Sequence, residues 1–176
     1  IYHKYIVVEM RNDMIDLLSD YCKKIELDIT DTQLQQFDDY YRFLVEKNKV
    51  MNLTTIIEKE DVVLKHFIDS IYIMKYTDFD EKKVIDIGTG AGFPGIPLAI
   101  MNPQTLFVLL DSLNKRINFL NEVCNLCNLS NVITIHGRAE EISRKEEYRE
   151  KFDYVVSRAV ANMSTLLEYC TPFLKV

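Results

Sequence analysis

Apolar residues recur at helical spacing through the first part of the chain. A stripe with this period covers residues 12–25 and predicts an amphipathic helix. A second stripe covers residues 34–45 and follows Thr30 and Gln33, whose spacing matches a capping box. Two helices are therefore expected before residue 46.

The helical period breaks at residues 47–54, which predicts a loop. Thr55 and Glu58 match a second capping box, and apolar positions continue at helical spacing to Met74. Residues 78–81 are mostly acidic and are interpreted as a polar joint. Together these patterns predict a helical N-terminal lobe over residues 1–80.

After residue 80 the pattern changes to short buried strands that alternate with helices. The predicted strands cover residues 84–87, 105–110, 131–135 and 153–156, and the predicted helices cover 95–101, 114–127, 140–151 and 163–170. This alternation predicts a parallel sheet with right-handed crossovers and a ligand site at the carboxyl ends of the strands. The expected fold is a doubly wound, Rossmann-like α/β core over residues 81–176.

Both ends of the sequence carry further expectations. The chain begins with Ile1, so residues 1–13 are interpreted as an extension, with Met10 and Met14 as candidate natural starts. The apolar run at 173–176 is expected to begin a fifth strand. The C-terminal strands of such a core are accordingly expected to be missing.

Composition narrows the class of protein. Hydrophobic residues make up 48% and charged residues 27% of the 176 residues, as in an ordinary globular domain. The net charge is −6, and residues 1–80 hold 16 of the 27 acidic residues but 10 of the 21 basic ones. A broad electrostatic grip on free nucleic acid is therefore not supported. No apolar run has membrane-spanning length, and four scattered cysteines favour a reducing, cytoplasmic setting over a disulfide framework.

The strand at 84–87 leads into four of the five glycines, at Gly88, Gly90, Gly92 and Gly95. The last three match G-x-G-x-x-G, which is typical of dinucleotide binding. The same residues also form an alternate-glycine pattern behind Asp86, which favours S-adenosylmethionine. Either ligand needs a backbone without side chains at close approach.

Polar residues follow the next strands at the ends where a ligand is expected. Asp111 ends the second strand and could accept hydrogen bonds from a ribose diol, or else cap the helix near Leu113. Arg138 to Glu141 follow the third strand, where an adenine could bind or a helix could simply begin. By itself Asp111 indicates a ribose without choosing between the two ligands.

The residues after the fourth strand bear on which kind of atom would accept a methyl group from S-adenosylmethionine. Ser157 and Arg158 follow the fourth strand, but the Asn/Asp-Pro-Pro-aromatic motif of exocyclic-amine methyltransferases does not, and no Pro-Cys pair is present for cytosine-C5 chemistry. A methyl acceptor with its own lone pair, such as a ring nitrogen, is favoured. Such an acceptor has to be aligned with the donor, and it has less need of a general base.

Three further groups of residues could be functional or could have only a structural role. Cys124 and Cys127 have CxxC spacing but no second pair, so core packing is preferred and no metal is expected. His66 is a lone histidine on a helix. A basic rim or an ordinary solvated surface could be formed by Lys47, Lys49, Lys115, Arg116, Arg138 and Arg158.

Taken in order, several segments resemble one family, the bacterial 16S rRNA guanine-N7 methyltransferases, also called the glucose-inhibited division protein B family. The segments are Met51–Thr54, His66–Ser70, Asp86–Pro97, Leu110–Arg116, Arg138–Glu141 and Ser157–Ala159. The resemblance implies methyl transfer from S-adenosylmethionine to N7 of a guanine in the decoding region of 16S rRNA. The expected substrate is an assembled or assembling small subunit, and a monomer is favoured.

The resemblance also implies which residues form the site. The cofactor-binding positions are expected at Gly88, Gly90, Phe93, Asp111, Ala139, Glu140 and Arg158. The family often has Leu where Phe93 stands. Arg158 and His66 are candidate catalytic residues, and His66, Asn52 and Lys115 are assigned to RNA contact or to site structure.

Two other functions stay open at this point. One is a dinucleotide-dependent oxidoreductase, which the literal G-x-G-x-x-G match permits. The other is a non-catalytic rRNA-binding or assembly factor with the same fold.

Overall fold

Among residues 13–176, which the computed structural model describes, four parallel strands form the centre of the fold. The strands are β1 (Lys83–Ile87), β2 (Leu106–Asp111), β3 (Val132–His136) and β4 (Tyr154–Val156), in the order β3-β2-β1-β4. The order reverses beside β1, so the carboxyl ends of β1 and β4 flank a crevice of the kind that binds ligands in doubly wound folds. The predicted parallel sheet is confirmed.

Successive side chains of the strands point to opposite faces of the sheet, and both faces are covered. Ile85 and Val108 belong to a smaller apolar cluster that includes Ile142 of helix α7 (Ala139–Ile142). Val84 and Phe107 belong to a larger cluster on the other face. Burial on both faces explains why these strands are apolar runs without alternation.

The larger cluster includes residues of α5 (Gly95–Met101), of α6 (Asn114–Leu126) and of the N-terminal helices. The N-terminal helices are α1 (Asp13–Lys24), α2 (Asp31–Met51) and a continuous helical segment. That segment comprises α3 (Lys59–Val62), a π-helical stretch (Val63–Ile68), α4 (Asp69–Ile71) and a 3₁₀ turn (Tyr72–Lys75). The predicted N-terminal helices therefore share a core with the sheet.

Helix α2 is joined to the sheet-covering helices by polar contacts. Gln33 donates to the carbonyl of Ile100 at 3.0 Å, and Gln36 donates to the carbonyl of Cys127 at 2.7 Å. Both carbonyls lie at helix C-terminal ends, where the helix itself offers no partner. Gln33 also completes the predicted capping box with Thr30.

Two expectations about the N-terminal helices are wrong. The loop predicted over residues 47–54 is helical as far as Met51, and α2 ends with Asn52 in the left-handed conformation. The last turn of α2 projects beyond the core, as the 81% exposure of Val50 indicates. The spacing of apolar residues therefore becomes irregular before the helix ends. The second capping box does not form, because α3 begins at Lys59 and Glu58 makes no capping bond.

Two expectations about charged segments also need correction. The helix predicted over 140–151 is limited to α7, and turns follow it. The polar joint at 78–81 contains Phe79, which is buried against Phe107 and Tyr154. In both segments charge dominates the composition, while one or two apolar side chains decide the packing.

The remaining helix, α8 (Met163–Cys170), lies where it was predicted. A 3₁₀ turn (Thr171–Phe173) follows it, and Leu174 forms a parallel bridge with Phe152 next to β4. The position expected to begin a fifth strand therefore pairs in the parallel direction.

Candidate functional site

The glycine loop, residues 88–95, turns sharply at the carboxyl end of β1. Gly88, Gly90 and Gly92 have φ values of 69°, 64° and 103°, in the left-handed region that side chains disfavour. The Gly88 N–H donates to the carbonyl of Leu110 at 2.8 Å, which ties the start of the loop to the end of β2. The start of the loop is thus held by a backbone bond.

The glycines of this loop differ in what surrounds them. An added Cβ would lie 2.2 Å from Leu109 at Gly95, 2.9 Å from the Tyr40 hydroxyl at Gly92, and 2.5 Å from Val160 at Gly88. At Gly90 a Cβ would approach only the Gly88 carbonyl, at 3.9 Å. Gly92 and Gly95 therefore serve internal packing, whereas Gly90 faces open space.

Asp86 lies beneath the loop, fully buried, and its Oδ2 accepts from the Gly95 N–H at 2.9 Å. Burial raises the pKa of this carboxyl to about 7, partly offset by Thr89, by the Gly95 N–H and by Arg158. Thr89 is close enough to lower that pKa, yet Asp86 Oδ1 and Thr89 Oγ1 complete no hydrogen bond with any described residue. Two buried oxygens thus remain unsatisfied under the loop.

A cavity of about 330 Å³ opens beside the loop, at the carboxyl ends of β1, β2 and β3. The cofactor-binding positions predicted from the sequence that line it are Gly88, Asp111, Ala139 and Glu140. Its volume falls within the range of small-molecule sites, about 300–1,000 Å³. Four residues from three separate segments are therefore brought together.

Asp111 is the charged residue deepest in the cavity wall, at 2% exposure. Its Oδ1 accepts from the Leu113 N–H at 2.9 Å, and its Oδ2 accepts from the Gly90 N–H at 2.9 Å and from Arg116 at 3.3 Å. The carboxylate therefore joins the glycine loop to the start of α6. A carboxylate offers about four acceptor positions, so capacity for one further donor remains.

Phe93 and Arg158 lie in a second group of side chains, here called the Arg158 cluster: Thr54, His66, Asp69, Phe93 and Arg158. The His66 and Phe93 rings are stacked at 4.3 Å, and the Arg158 guanidinium lies 5.1 Å from the centre of the Phe93 ring. Because Phe93 belongs to the glycine loop, the cluster lies against that loop.

His66 is nearly buried within this cluster. Desolvation by burial, followed by the Arg158 charge, lowers the pKa of its imidazole to about 4. His66 is therefore neutral at physiological pH. Asp69 and the Lys65 backbone act in the opposite direction but do not outweigh burial.

Asn52 and Lys115 lie in neither the cavity wall nor the Arg158 cluster. Asn52 ends α2, and Lys115 is exposed on the first turn of α6. The predicted basic rim is partly neutralised, because Lys47, Arg116 and Arg158 form ion pairs with acidic residues.

Sequence reasoning missed several residues of the site. Gly137, the fifth glycine, lines the cavity directly after β3, and its position after a strand was an available signal. Tyr169 of α8 also lines the cavity, without a sequence motif to indicate it. Tyr40, whose hydroxyl donates to the Ala91 carbonyl, holds the loop from behind and could not be distinguished from other core aromatics.

The local geometry discriminates between the two ligands considered for the glycine loop. A dinucleotide pyrophosphate would need the N-terminus of α5, but its Gly95 N–H is already bonded to buried Asp86. The open face above Gly90, next to Asp111, fits a nucleoside ligand without a pyrophosphate. Fold and site together define an S-adenosylmethionine-dependent methyltransferase.

Comparison with known proteins identifies the family. The GidB family model, described as rRNA small subunit methyltransferase G, matches residues 33–176. Ribosomal RNA small subunit methyltransferase G of Desulforamulus reducens is 51% identical over 94% of this chain and 69% of its own length. The protein of the same name from Clostridium perfringens is 52% identical over 92% of this chain and 68% of its own length. The chain belongs to the rRNA small subunit methyltransferase G family.

A solved structure agrees with the fold. TYW2 of M. jannaschii, in complex with AdoMet, matches 62% of this chain and 48% of its own chain, with a TM-score of 0.51 and 26% identity. The predictions of fold class, family and methyl-donor cofactor are confirmed, and the oxidoreductase alternative is not favoured.

Two further observations concern the described residues 13–176. No helix there is long and apolar enough to cross a membrane. No group of three or more His, Cys, Asp or Glu side chains in that part of the chain could hold a metal ion. Cys124 and Cys127 are free thiols, and burial raises the pKa of each, to about 11 and about 12.

Proposed function

We propose that this protein methylates N7 of a guanine in the decoding region of 16S rRNA. The observation that carries the proposal is the open face of Gly90 beside Asp111, in a chain of the rRNA small subunit methyltransferase G family. Bound S-adenosylmethionine would supply a methyl group activated by a sulfonium sulfur.

The donor would be held mainly by groups around the cavity. Asp111, with one acceptor position remaining, would accept a hydrogen bond from one hydroxyl of the ribose diol. Ala139 and Glu140, in the first turn of α7, would bind the adenine. Gly88 and Gly90 would allow close approach of the backbone, and Phe93 would pack on the donor from the side of the Arg158 cluster.

Arg158 would bind an anionic oxygen. Its bonds to Lys65 O, Asp69 and His66 use three of the five guanidinium N–H groups. The Nε–H and one Nη2–H have no partner among residues 13–176. A carboxylate of the donor or a phosphate of the RNA would suit this pair.

No general base is required in this proposal. Guanine N7 carries a lone pair in the plane of the base, exposed in the major groove, and it has no proton to lose. The low pKa of His66, about 4, makes its imidazole a weak base, and both of its ring nitrogens already have protein partners, which supports this conclusion. Catalysis would then depend on alignment and proximity.

The substrate is proposed to be an assembled or assembling small subunit, and the enzyme a cytoplasmic monomer. The net charge of −6 and the pairing of half the predicted basic rim argue against strong binding to free RNA. Lys115, exposed near the cavity, and Asn52 would contact RNA or support the site. Residues 13–80, the described part of the lobe predicted over 1–80, are proposed as a supporting helical lobe and 81–176 as the methyltransferase core, with Tyr40 as one link between them. Residues 1–12 of the expected N-terminal extension lie outside the described residues.

The proposal has a direct test in two stages. Equilibrium binding should show saturable affinity for S-adenosylhomocysteine and none for NAD. The complete protein should transfer labelled methyl groups to small subunits purified without this modification, and RNA mapping should locate the label on one guanine N7. Donor binding without incorporation would support a non-catalytic assembly factor, and NAD binding would overturn the proposed donor.

A further inference from the structure

A turn at the end of α2 is held by one side chain. The Asn48 carboxamide oxygen accepts from the backbone N–H groups of Leu53 at 2.7 Å and Thr54 at 2.9 Å. Its amide nitrogen donates to the Thr54 carbonyl at 2.9 Å. Asn48 therefore fixes the backbone of Thr54 on both sides.

The Thr54 hydroxyl then connects this turn to the Arg158 cluster. Thr54 Oγ1 accepts from the Ile56 N–H at 3.1 Å and lies 2.9 Å from His66 Nε2. The two residues are 12 positions apart in the chain, and His66 lies in the π-helical stretch. Insertions of this type in helices often occur at functional sites.

Donor and acceptor roles in the chain of bonds follow from chemistry. Arg158 Nη2 lies 3.0 Å from His66 Nδ1, and a guanidinium can only donate. His66 Nδ1 must therefore accept, which places the proton of the neutral ring on Nε2. That proton is donated to Thr54 Oγ1, so each atom has a single role.

Arg158 is thus held from three directions. Asp69 Oδ2 accepts at 2.7 Å, the Lys65 carbonyl at 3.1 Å, and His66 Nδ1 at 3.0 Å. Charge attraction to Asp69 alone would allow the guanidinium to rotate, whereas three acceptors in different directions determine its plane. The plane decides where its two remaining N–H groups point.

We propose that Thr54 and Asn48 are positioning residues, which orient Arg158 through the Nε2–H tautomer of His66 so that it binds an anionic oxygen. The anion is a carboxylate of the methyl donor or a phosphate of the RNA substrate, and this part rests on the proposed function. Thr54 and Asn48 would act through His66 and Arg158 rather than by contact with either ligand.

Two variants of one residue test the proposal. Thr54→Val removes the acceptor but keeps the shape of the side chain, and Thr54→Ser restores the hydroxyl. Thr54→Val should weaken the affinity for S-adenosylhomocysteine or for small subunits about tenfold, since the loss of one hydrogen bond costs roughly this factor. Thr54→Ser should stay within about twofold of the wild type. The matched control is Thr134→Val, which removes a hydroxyl bonded to Asn121 far from the cluster.

Comparing the affinities for S-adenosylhomocysteine and for small subunits identifies the molecule that supplies the anionic oxygen. Weaker S-adenosylhomocysteine binding in Thr54→Val would identify the donor carboxylate. Weaker binding of unmodified small subunits alone would identify an RNA phosphate. Unchanged affinity for both would overturn the proposal.

Nitrogen NMR of the histidine rings reports the tautomer of His66, which general damage to the turn at Thr54 would not by itself change. The chain has three histidines, and a His66→Gln variant assigns the signal of interest. The wild type should show the neutral Nε2–H tautomer from pH 8 to about pH 5, with Arg158, Asp69 and Lys65 as the charged groups around the ring. Thr54→Val should shift the signal toward a mixture of tautomers, and Thr54→Ser should not.

Different results would overturn the proposed function and the positioning role of Thr54 and Asn48. A wild-type chain that binds neither S-adenosylhomocysteine nor small subunits would overturn the proposed function and the assigned ligand of Arg158. An Nδ1–H tautomer in the wild type, or no tautomer change in Thr54→Val, would overturn the positioning role even if both ligands bind.

Discussion

The cavity beside the glycine loop and the Arg158 cluster lie against the same loop but are built in different ways. The cavity is formed by strand ends and a glycine turn, held mainly by backbone bonds such as Gly88 N–H to Leu110 O. The cluster is formed by side chains, with Arg158 meeting His66 across 92 positions of sequence.

This difference predicts different sensitivities. A backbone site fails when a side chain fills its space, because the backbone bonds persist under most substitutions. A side-chain cluster fails when a donor, an acceptor or a protonation state changes, because each atom has one role. Substitutions in the glycine loop, in the Arg158 cluster and at Phe93, which belongs to both, distinguish these two kinds of construction.

The largest effect is expected from Gly90→Val, which fills the open space above the glycine loop, next to Asp111. S-adenosylhomocysteine affinity should fall on the order of 100-fold, since overpacking costs about 1–3 kcal/mol. The fold should survive, because a Cβ at this position meets no atom closer than 3.9 Å. Titration calorimetry and circular dichroism measure the two outcomes.

Gly90→Val also strains a backbone with φ of 64°, so a matched control is needed. Asn128→Val places valine at an exposed residue with φ of 52°, far from the cavity. It should lose stability without losing donor affinity. Equal loss of affinity in both variants would mean that strain, rather than filled space, is the cause.

The next effect concerns Asp86 beneath the loop. Burial raises the pKa of Asp86 from an ordinary value of 3.8 to about 7. Between these two pH values the folded protein keeps a proton on this carboxyl, whereas the unfolded chain has released it. Asp86 therefore favours folding least above pH 7 and most below pH 4. Asp86→Asn should remove this dependence.

Urea unfolding at pH 5 and pH 8 measures the Asp86 prediction. The stability of the wild type relative to Asp86→Asn should fall by roughly 2.5 kcal/mol across this interval, at about 1.4 kcal/mol per pKa unit. A relative stability that rises with pH would show that the carboxyl is stabilised as its anion, and the assigned effect of burial would be wrong.

A smaller effect is expected from Arg158→Lys in the cluster. An ammonium keeps the charge but cannot hold three acceptors and present two further donors in one plane. Affinity for S-adenosylhomocysteine or for small subunits should fall about tenfold, or about 1.4 kcal/mol. Arg42→Lys, at a guanidinium 2.7 Å from Asp38 on α2, should leave both affinities unchanged. If Arg158→Lys behaves like this control, charge alone is sufficient.

The smallest effect is expected from Phe93→Leu, at a residue that belongs both to the glycine loop and to the Arg158 cluster. The variant loses ring contacts with His66 and Tyr40 and the cation–π contact with Arg158. The free energy of unfolding should fall by about 1 kcal/mol, with donor affinity within about twofold. Phe43→Leu, which breaks a stacked pair with Phe119 outside the site, is the stability control. A large loss of affinity at Phe93 alone would show that the ring is needed for ligand binding.

Most of the sheet and much of the cavity could be predicted because their signals are local. The strands before and after the glycine loop are contiguous apolar runs, and Asp111 directly ends one of them. Parallel strands align their carboxyl ends, so residues that follow separate strands can be assigned to one edge. The α2 terminus and Phe79 were predicted wrongly, since projection beyond the core and burial of one ring have no local signature.

By itself the sequence determined the alternation of strands and helices and the glycine turn with Asp86 before it, and it favoured the proposed ring-nitrogen acceptor. These depend on the period of apolar residues and on which residue types are present or missing. Only the tertiary structure decided that Gly90 faces open space while Gly92 and Gly95 face the interior. It alone joined Thr54, through His66, to Arg158, because such contacts depend on how distant segments pack.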